Sequence, residues 1–421
     1  MSYILAQNME SNTDIDALTY TATLSDNSDE RLAAQKRIRE LGRELGIFSA
    51  SMHNIYSAFG RGELSGFTVP AMNVRMLTYD FAHRAFLLAI KHNIGCMIFE
   101  LANTEQQYTN QPPSEYSASI IAGAIRARYK GPVFIQGDHY QMKADIFKQS
   151  PEKEIERVKN LIDRSLEGDF FNIDIDGSTL VDLSKTNLDE QQKNNYEMTA
   201  LMTRYIREKQ PKDIMVSIGG EIGHIGGINS TVEDFEAFMK GYKPLLGDVP
   251  GISKVAIQTG TSHGGVPLPD GTIAEVDIDF DAIHKIGDVA RNVYGLGGPV
   301  QHGASTLPAS LFNEFPKHNT LEIHLATEFQ NIVYAHMNNN LKEKMWAWLR
   351  ENAREELKEG MTDEQFIYKS RKKAWGNFKK DMWNLPQEEK TAMLDALTEK
   401  LESLFNSLQV LNTKDAVARF I

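Results

Sequence analysis

Between residues 67 and 325, short apolar runs alternate with longer stretches in which hydrophobic residues return every three or four positions. The short runs fall at 67–73, 95–100, 132–137, 170–176, 214–219, 254–258, 299–301 and 321–325. Most are near-continuously apolar rather than alternating, the mark of parallel strands covered on both faces. The stretches between them, such as 114–129, 151–166 and 196–208, carry the helical period. Strands alternating with helices build βα units. Eight such units match an α/β fold, a (β/α)8 TIM barrel, which takes about 250 residues. An open doubly wound sheet is the alternative reading.

The flanks differ from this pattern. Residues 1–60 start polar and acidic and then turn helical, with Ser28 or Asp29 as cap of a helix that runs to Leu45 and stops at Gly46. They are expected to form an N-terminal extension with one helix. Residues 61–335 would be the barrel, and 336–421, helical throughout and broken once at Pro386, a C-terminal helical extension. All four tryptophans, Trp346, Trp348, Trp375 and Trp383, lie in that last part. They are expected to pack between helices and barrel or between subunits, so a homo-oligomer, dimer or tetramer, is anticipated. The basic run at 369–373 reads as a solvated helix face.

Composition narrows the partners. With 45 Lys+Arg against 57 Asp+Glu, the net charge is −12, which argues against nucleic acid, whose binding needs basic stripes. An anionic small molecule in a local positive pocket stays open. Cys96 is the only cysteine, so no intrachain disulfide can form, and its apolar surroundings make it a buried small hydrophobe. No apolar run reaches the ~18–20 residues that span a bilayer, and no signal peptide is visible. A cytoplasmic location without membrane contact is therefore expected.

The chemistry collects where the strands end. Asp138-His139 follows the third run, and 174–178 (Asp-Ile-Asp-Gly-Ser) closes the fourth. Gly219-Gly220-Glu221 follows the fifth, Gly260-Thr261-Ser262-His263-Gly264 the sixth, and His302-Gly303-Ala304-Ser305 the seventh. In a barrel these positions share one mouth. Three imidazoles converging there, His139, His263 and His302, would suit a catalytic Zn²⁺ or another divalent ion with one coordination position open. The neighbouring glycines would let backbone N–H groups approach a ligand closely.

In this order and placement, Asp138-His139, the Gly-Glu-x-Gly-x-x-Gly-Gly string at 220–227, Gly-Thr-Ser-His-Gly at 260–264 and His-Gly-x-Ser at 302–305 resemble the class II (metal-dependent) fructose-bisphosphate aldolases. The string Val69-Pro70-Ala71-Met72-Asn73 is similar to that family's first strand, and Ile175-Asp176-Gly177-Ser178 to its fourth. The resemblance implies a zinc held by His139, His263 and His302. Asp176 and Glu221 would lie near a second or alternative metal position, and a second or monovalent cation is compatible with it. Asp138 would move the hydroxyl proton during C–C cleavage. Gly264, Gly303, Ser305 and Thr327 would cradle a phosphate, and Asn73 and His324 would face the sugar. Arg371 matches an arginine that the family lends across a dimer interface. The implied partner is a sugar phosphate.

Three departures stand out. Acids that the family places directly after its Gly-Gly loop are replaced here by Ile228-Asn229-Ser230-Thr231, and the next acids, Glu233 and Asp234, read as the start of a helix capped by Thr231 or Ser230. The base expected at the donor carbon is therefore missing or displaced, with His224 and Glu100 as candidate substitutes. On the eighth strand the family's Asn-x-Asp-Thr-Asp becomes His324-Leu325-Ala326-Thr327-Glu328, and Gln136-Gly137 precedes Asp138 where a His-Leu pair is usual. The leading expectation is a metal-dependent aldolase of a ketose phosphate. A metal-dependent C4 epimerase, which needs no donor-side protonation, and a non-catalytic binding barrel are the alternatives.

Overall fold

The computed structural model describes residues 14–223, 228–260, 278–304 and 307–421. Eight strands close into a parallel barrel: β2 (Val69–Asn73), β3 (Ile98–Ala102), β4 (Gly131–Gln141), β5 (Asn172–Asp176), β6 (Ser217–Glu221), β7 (Lys254–Ile257), β8 (Pro299–Gln301) and β9 (Glu322–Leu325). Their order around the ring is β4-β3-β2-β9-β8-β7-β6-β5, and a β4–β5 pairing closes it. Each of the eight apolar runs thus became a barrel strand, and the open-sheet alternative falls. Helices such as Pro113–Arg126, Pro151–Glu167 and Leu188–Lys209 cover the outside. Residues such as Ile98, Ile135, Ile173, Ile218 and Ile323 are fully buried, as both-face coverage demands.

The N-terminal segment holds more than one helix. Helices Ile15–Leu24 and Ser28–Glu44 are followed by a short strand, β1 (Ile47–Ala50), and a further helix, His53–Gly60. Asn27 caps the second helix through its side-chain oxygen, 2.9 Å from the Asp29 N–H, so Ser28 is already helical. Strand β1 pairs with the first residues of β4, from Ile47↔Gly131 to Ala50↔Phe134, whereas β5 pairs with its later ones. At eleven residues β4 outruns its neighbours, and β1 and β5 share one of its edges. Asn172 seals the junction, accepting from Met52 N at 2.8 Å and donating to the Ala50 and Ile135 carbonyls.

The C-terminal helices pack back on the barrel layer. Met393, Leu394, Leu397, Leu401 and Leu404 form the buried face of helix Gln387–Ser407. Trp375 is 2% exposed, stacks on Tyr334 at 4.4 Å and donates its indole N–H to Gln330. Trp383 stacks on Tyr79 at 5.8 Å. Helix–barrel packing therefore accounts for these two rings. Helix Val232–Leu246 begins on a reciprocal Thr231/Asp234 capping box, which explains the acids that follow the fifth loop. Cys96 is buried, and among the described residues no helix is long and apolar enough to cross a membrane.

Candidate active site

Successive residues of a regular strand point to opposite faces, so Asp138 and His139 could not both face one cavity from an undistorted ladder. The ladder is distorted at this point. Gly137 pairs with Ile173 but Tyr140 pairs with Ile175, so β4 carries one residue more than β5 across the shift. Such a bulge re-aims side chains. His139 takes a left-handed φ of 44°, a conformation that costs roughly 1–3 kcal/mol in a non-glycine residue and collects at functional sites. The strand does not end at Gly137, as its apolar run suggested, but continues to Gln141. Gly137 makes room for the turn, because a Cβ there would stand 2.3 Å from the Tyr140 ring.

Both side chains line a cavity of about 330 Å³ at the carboxyl ends of the strands, together with Asn73, Glu100, Glu221, His302, Gly303, His324 and Thr327. Ring nitrogens of His139 and His302 and a carboxylate oxygen of Glu221 lie within 4.8 Å of one another. The two rings are 4.3 Å apart by centroid. Glu221 Oε2 is 3.1 Å and Asp176 Oδ2 3.3 Å from His139 Nδ1. Asp176 also accepts hydrogen bonds from Ser178 and Gln141. His263, the third histidine expected at this centre, lies outside the described residues, as do Gly264, Ser305 and the speculative base His224.

Asp138, His302 and His324 approach one another as closely, but His324 Nδ1 already meets Asp138 Oδ1 at 3.2 Å and Glu100 Oε2 at 3.1 Å. Its other nitrogen lies 2.6 Å from Glu322 Oε1. Beneath it runs a charged core. Lys254 Nζ donates to Glu322 at 2.6 Å, Gln136 at 2.7 Å and Asp174 at 2.9 Å. Gln136 bonds both Glu100 and Glu322, and Tyr56 donates to Glu322 as well.

Charge in this core is unevenly held. Burial opposes ionisation of Asp138, yet His139 and His324 keep it well below the usual carboxylate range. Glu322 stays near 2 in spite of its burial, mainly because of Lys254. Burial, reinforced by Asp138 and Glu322, pushes Glu100 well above that range. Burial and Asp176 raise Glu221 to about 7, and burial raises Asp174 to about 6. Glu100, Asp138, Asp174, Asp176, Glu221 and Glu322 thus share one interior with Lys254 as the lysine among them. An excess of carboxylates around imidazoles fits a divalent cation of N/O preference.

The rim supplies the cations. Arg75 bonds Asn73 at 3.0 Å and pairs with Glu105 at 2.6 Å. Lys143 and Lys372 also line the cavity. Of the residues expected to cradle a phosphate, Gly303, with φ 69°, and Thr327, at the start of helix Thr327–His336, line the cavity. Arg371 does not line the cavity. Its guanidinium lies over the Tyr368 ring at 4.1 Å and donates to Asn331. Its neighbour Lys372 takes the place at the mouth, so the basic run is not the solvated face it resembled.

Several of these residues were not singled out from the sequence. Lys254 and Glu322 carried a signal: each is a charge inside an otherwise apolar strand that had to be buried on both faces. Lys372, Lys143 and Arg75 carried none, because their approach to the mouth depends on how distant segments fold back.

A closed parallel barrel with histidines and carboxylates gathered at the carboxyl ends of its strands has the site architecture of the (β/α)8 enzymes. The chain belongs to the fructose-bisphosphate aldolase class-II family, whose model matches residues 54–403. Among solved structures it is similar to a fructose-bisphosphate aldolase from Campylobacter jejuni, at 17% identity and a TM-score of 0.52, covering 87% of this chain and 97% of that one. It is also similar to a probable tagatose 6 phosphate kinase from Sinorhizobium meliloti 1021, at 13% identity and a TM-score of 0.56, covering 82% and 100%. At these identities the likeness speaks for the fold. No curated protein matches the chain.

Proposed function

We propose that the protein is a metal-dependent lyase that cleaves a ketose phosphate, such as fructose 1,6-bisphosphate, into two trioses by a reversible retro-aldol reaction. The observation that carries this reading is the meeting of His139, His302 and Glu221 within 4.8 Å, beside the ionised Asp138. His139 and His302, joined by His263 as the sequence suggests, would hold a Zn²⁺ or similar ion. Such an ion would supply Lewis acidity for the carbanion that cleavage leaves next to a carbonyl.

The chain's own groups do the rest. Asp138 is held as a carboxylate, so it can accept the hydroxyl proton as the C–C bond breaks. Asp176, 3.3 Å from His139 Nδ1, would hold that ring as ligand histidines are commonly held. Gly303 and the N-terminus of helix Thr327–His336 favour an anionic group at one end of the cavity. Lys372, Lys143 and Arg75 offer positive charge along the rim, which suits a phosphorylated substrate. Assembly into a homo-oligomer and a cytoplasmic location remain part of this proposal.

Metal analysis combined with a screen of ketose mono- and bisphosphates tests it. Triose release that disappears with a chelator and returns with Zn²⁺ is the expected result. Full activity in excess chelator would refute the metal assignment. A stereoisomer at C4 with no free triose would make the protein an epimerase instead.

A further inference from the structure

Cleavage of a ketose makes two proton demands. One proton leaves the hydroxyl of the aldehyde half, and one must reach the carbon of the donor half before that half can depart. Asp138 meets the first demand. The second needs a separate acid, because a group that has just taken the hydroxyl proton stands on the aldehyde side of the broken bond.

Glu100 is placed for that task. It is the central residue of strand β3, next to β4, and pairs in register with Gln136. It lines the same cavity as Asp138 and is only 1% exposed. Its Oε2 is anchored by the Gln136 amide at 3.0 Å, while among the described residues its Oε1 has no hydrogen-bond partner. A buried carboxyl oxygen without a partner is costly unless it carries a proton or meets a ligand. The Lys254–Gln136–Glu322 lattice fixes the side chain from below, so its free oxygen is held in one place. No carboxyl directly follows the Gly226-Gly227 pair, where the chain reads Ile228-Asn229-Ser230-Thr231.

We propose that Glu100 is the acid–base group at the donor carbon, working alongside Asp138. This assignment rests on the aldolase reading above and deepens it. In the cleavage direction the electron pair of the broken C–C bond remains on the donor half as an enediolate. The Glu100 carboxyl O–H then breaks, its proton forms the new C–H bond, and Glu100 is left as a carboxylate. Asp138 has meanwhile gained the hydroxyl proton, so one proton gained balances one lost. His324 Nδ1 stands between the two carboxyls, 3.2 Å from Asp138 and 3.1 Å from Glu100, and in this proposal it returns the proton from one to the other. No oxidant or further reactant is required. The burial that favours a protonated Glu100 is consistent with an acid resting beside an ionised partner.

The experiment compares wild type and Glu100→Gln, both metal-loaded, in two assays. The first follows deuterium from D2O into the carbon-bound position of dihydroxyacetone phosphate. The second follows fructose 1,6-bisphosphate cleavage with ferricyanide present, which oxidises the enediolate and removes the need to protonate it. Exchange should fall by about 10²–10⁴-fold, the usual weight of a general acid–base group. Trapped cleavage should fall by less than about tenfold, and metal content and thermal midpoint should stay near wild type. A purely structural role would lower both assays together and overturn the proposal, as would exchange at the wild-type rate. If wild-type protein neither exchanges nor cleaves, the aldolase reading itself fails, and this assignment with it.

Discussion

Replacing Lys254 by Met tests whether the charged barrel core is held as described. Lys254 is fully buried and its ammonium makes contacts of 2.6, 2.7 and 2.9 Å to Glu322, Gln136 and Asp174. Methionine fills most of the same volume, so little of the effect would come from a cavity. What is lost is the counter-charge of two carboxylates. Breaking a buried pair by removing one partner costs about 3–5 kcal/mol. At ~2–4 °C per kcal/mol for domains of moderate size, the midpoint should drop by about 6–20 °C. The loss should also depend on pH. Against the opposing effect of burial, Lys254 holds Glu322 near 2, below the ~4.3 of an unfolded glutamate. That depression stabilises the fold above about pH 4.3 and fades as pH falls toward 2. Without Lys254 the contribution vanishes and the buried acids favour their protons. The gap between variant and wild type should then be widest at pH 7–8 and narrow below about pH 4. Thermal melts at several pH values read this directly. A gap under about 1 kcal/mol at pH 7.5, or one that is equal at pH 4 and pH 8, would show that Lys254 is not the charge that holds this core.

Three further outcomes follow from the same geometry. Asp138→Ala should reduce turnover by about 10²–10⁴-fold with metal content unchanged by elemental analysis; loss of the metal would instead make Asp138 a support for the histidines. Lys372→Met should raise KM for a phosphorylated ketose several-fold and leave kcat nearly unchanged, since it touches the cavity only at the rim; steady-state kinetics decide, and a selective fall in kcat would contradict a binding role. Gly137→Ala forces a methyl to within 2.3 Å of the Tyr140 ring, and overpacking of this kind costs about 1–3 kcal/mol. Urea titration should show that loss together with weaker metal binding, because the bulge that aims His139 is displaced; unchanged stability and metal affinity would refute its steric role.

Much of the barrel was legible along the chain because both-face burial leaves a direct mark: an apolar run must appear at each strand, and each of the eight did. The rings of His139 and His302, far apart in the sequence, lie 4.3 Å apart because strand ends in a closed barrel share one mouth. Asp176 and Glu221 both approach His139 Nδ1, at 3.3 and 3.1 Å, but Glu221 lines the cavity while Asp176 is also held by Ser178 and Gln141. Lys372 illustrates the limit. Nothing in the basic run at 369–373 sets it apart from its neighbours, yet it reaches the cavity while the guanidinium of Arg371 lies over the Tyr368 ring and donates to Asn331. Strand β1 was also missed, since four residues with mixed exposure show neither period clearly.

The order of strands, the candidate ligands and the family are written in the linear pattern, because they depend on which residue types recur at which spacing. Which carboxylate is ionised, which is protonated and which merely orients a ring is not. Those properties arise from distances of about 3 Å between residues as far apart in the chain as Glu100 and His324, and from the water excluded around them. Burial and neighbouring charge, set only when the barrel closes, decide the protonation of identical side chains.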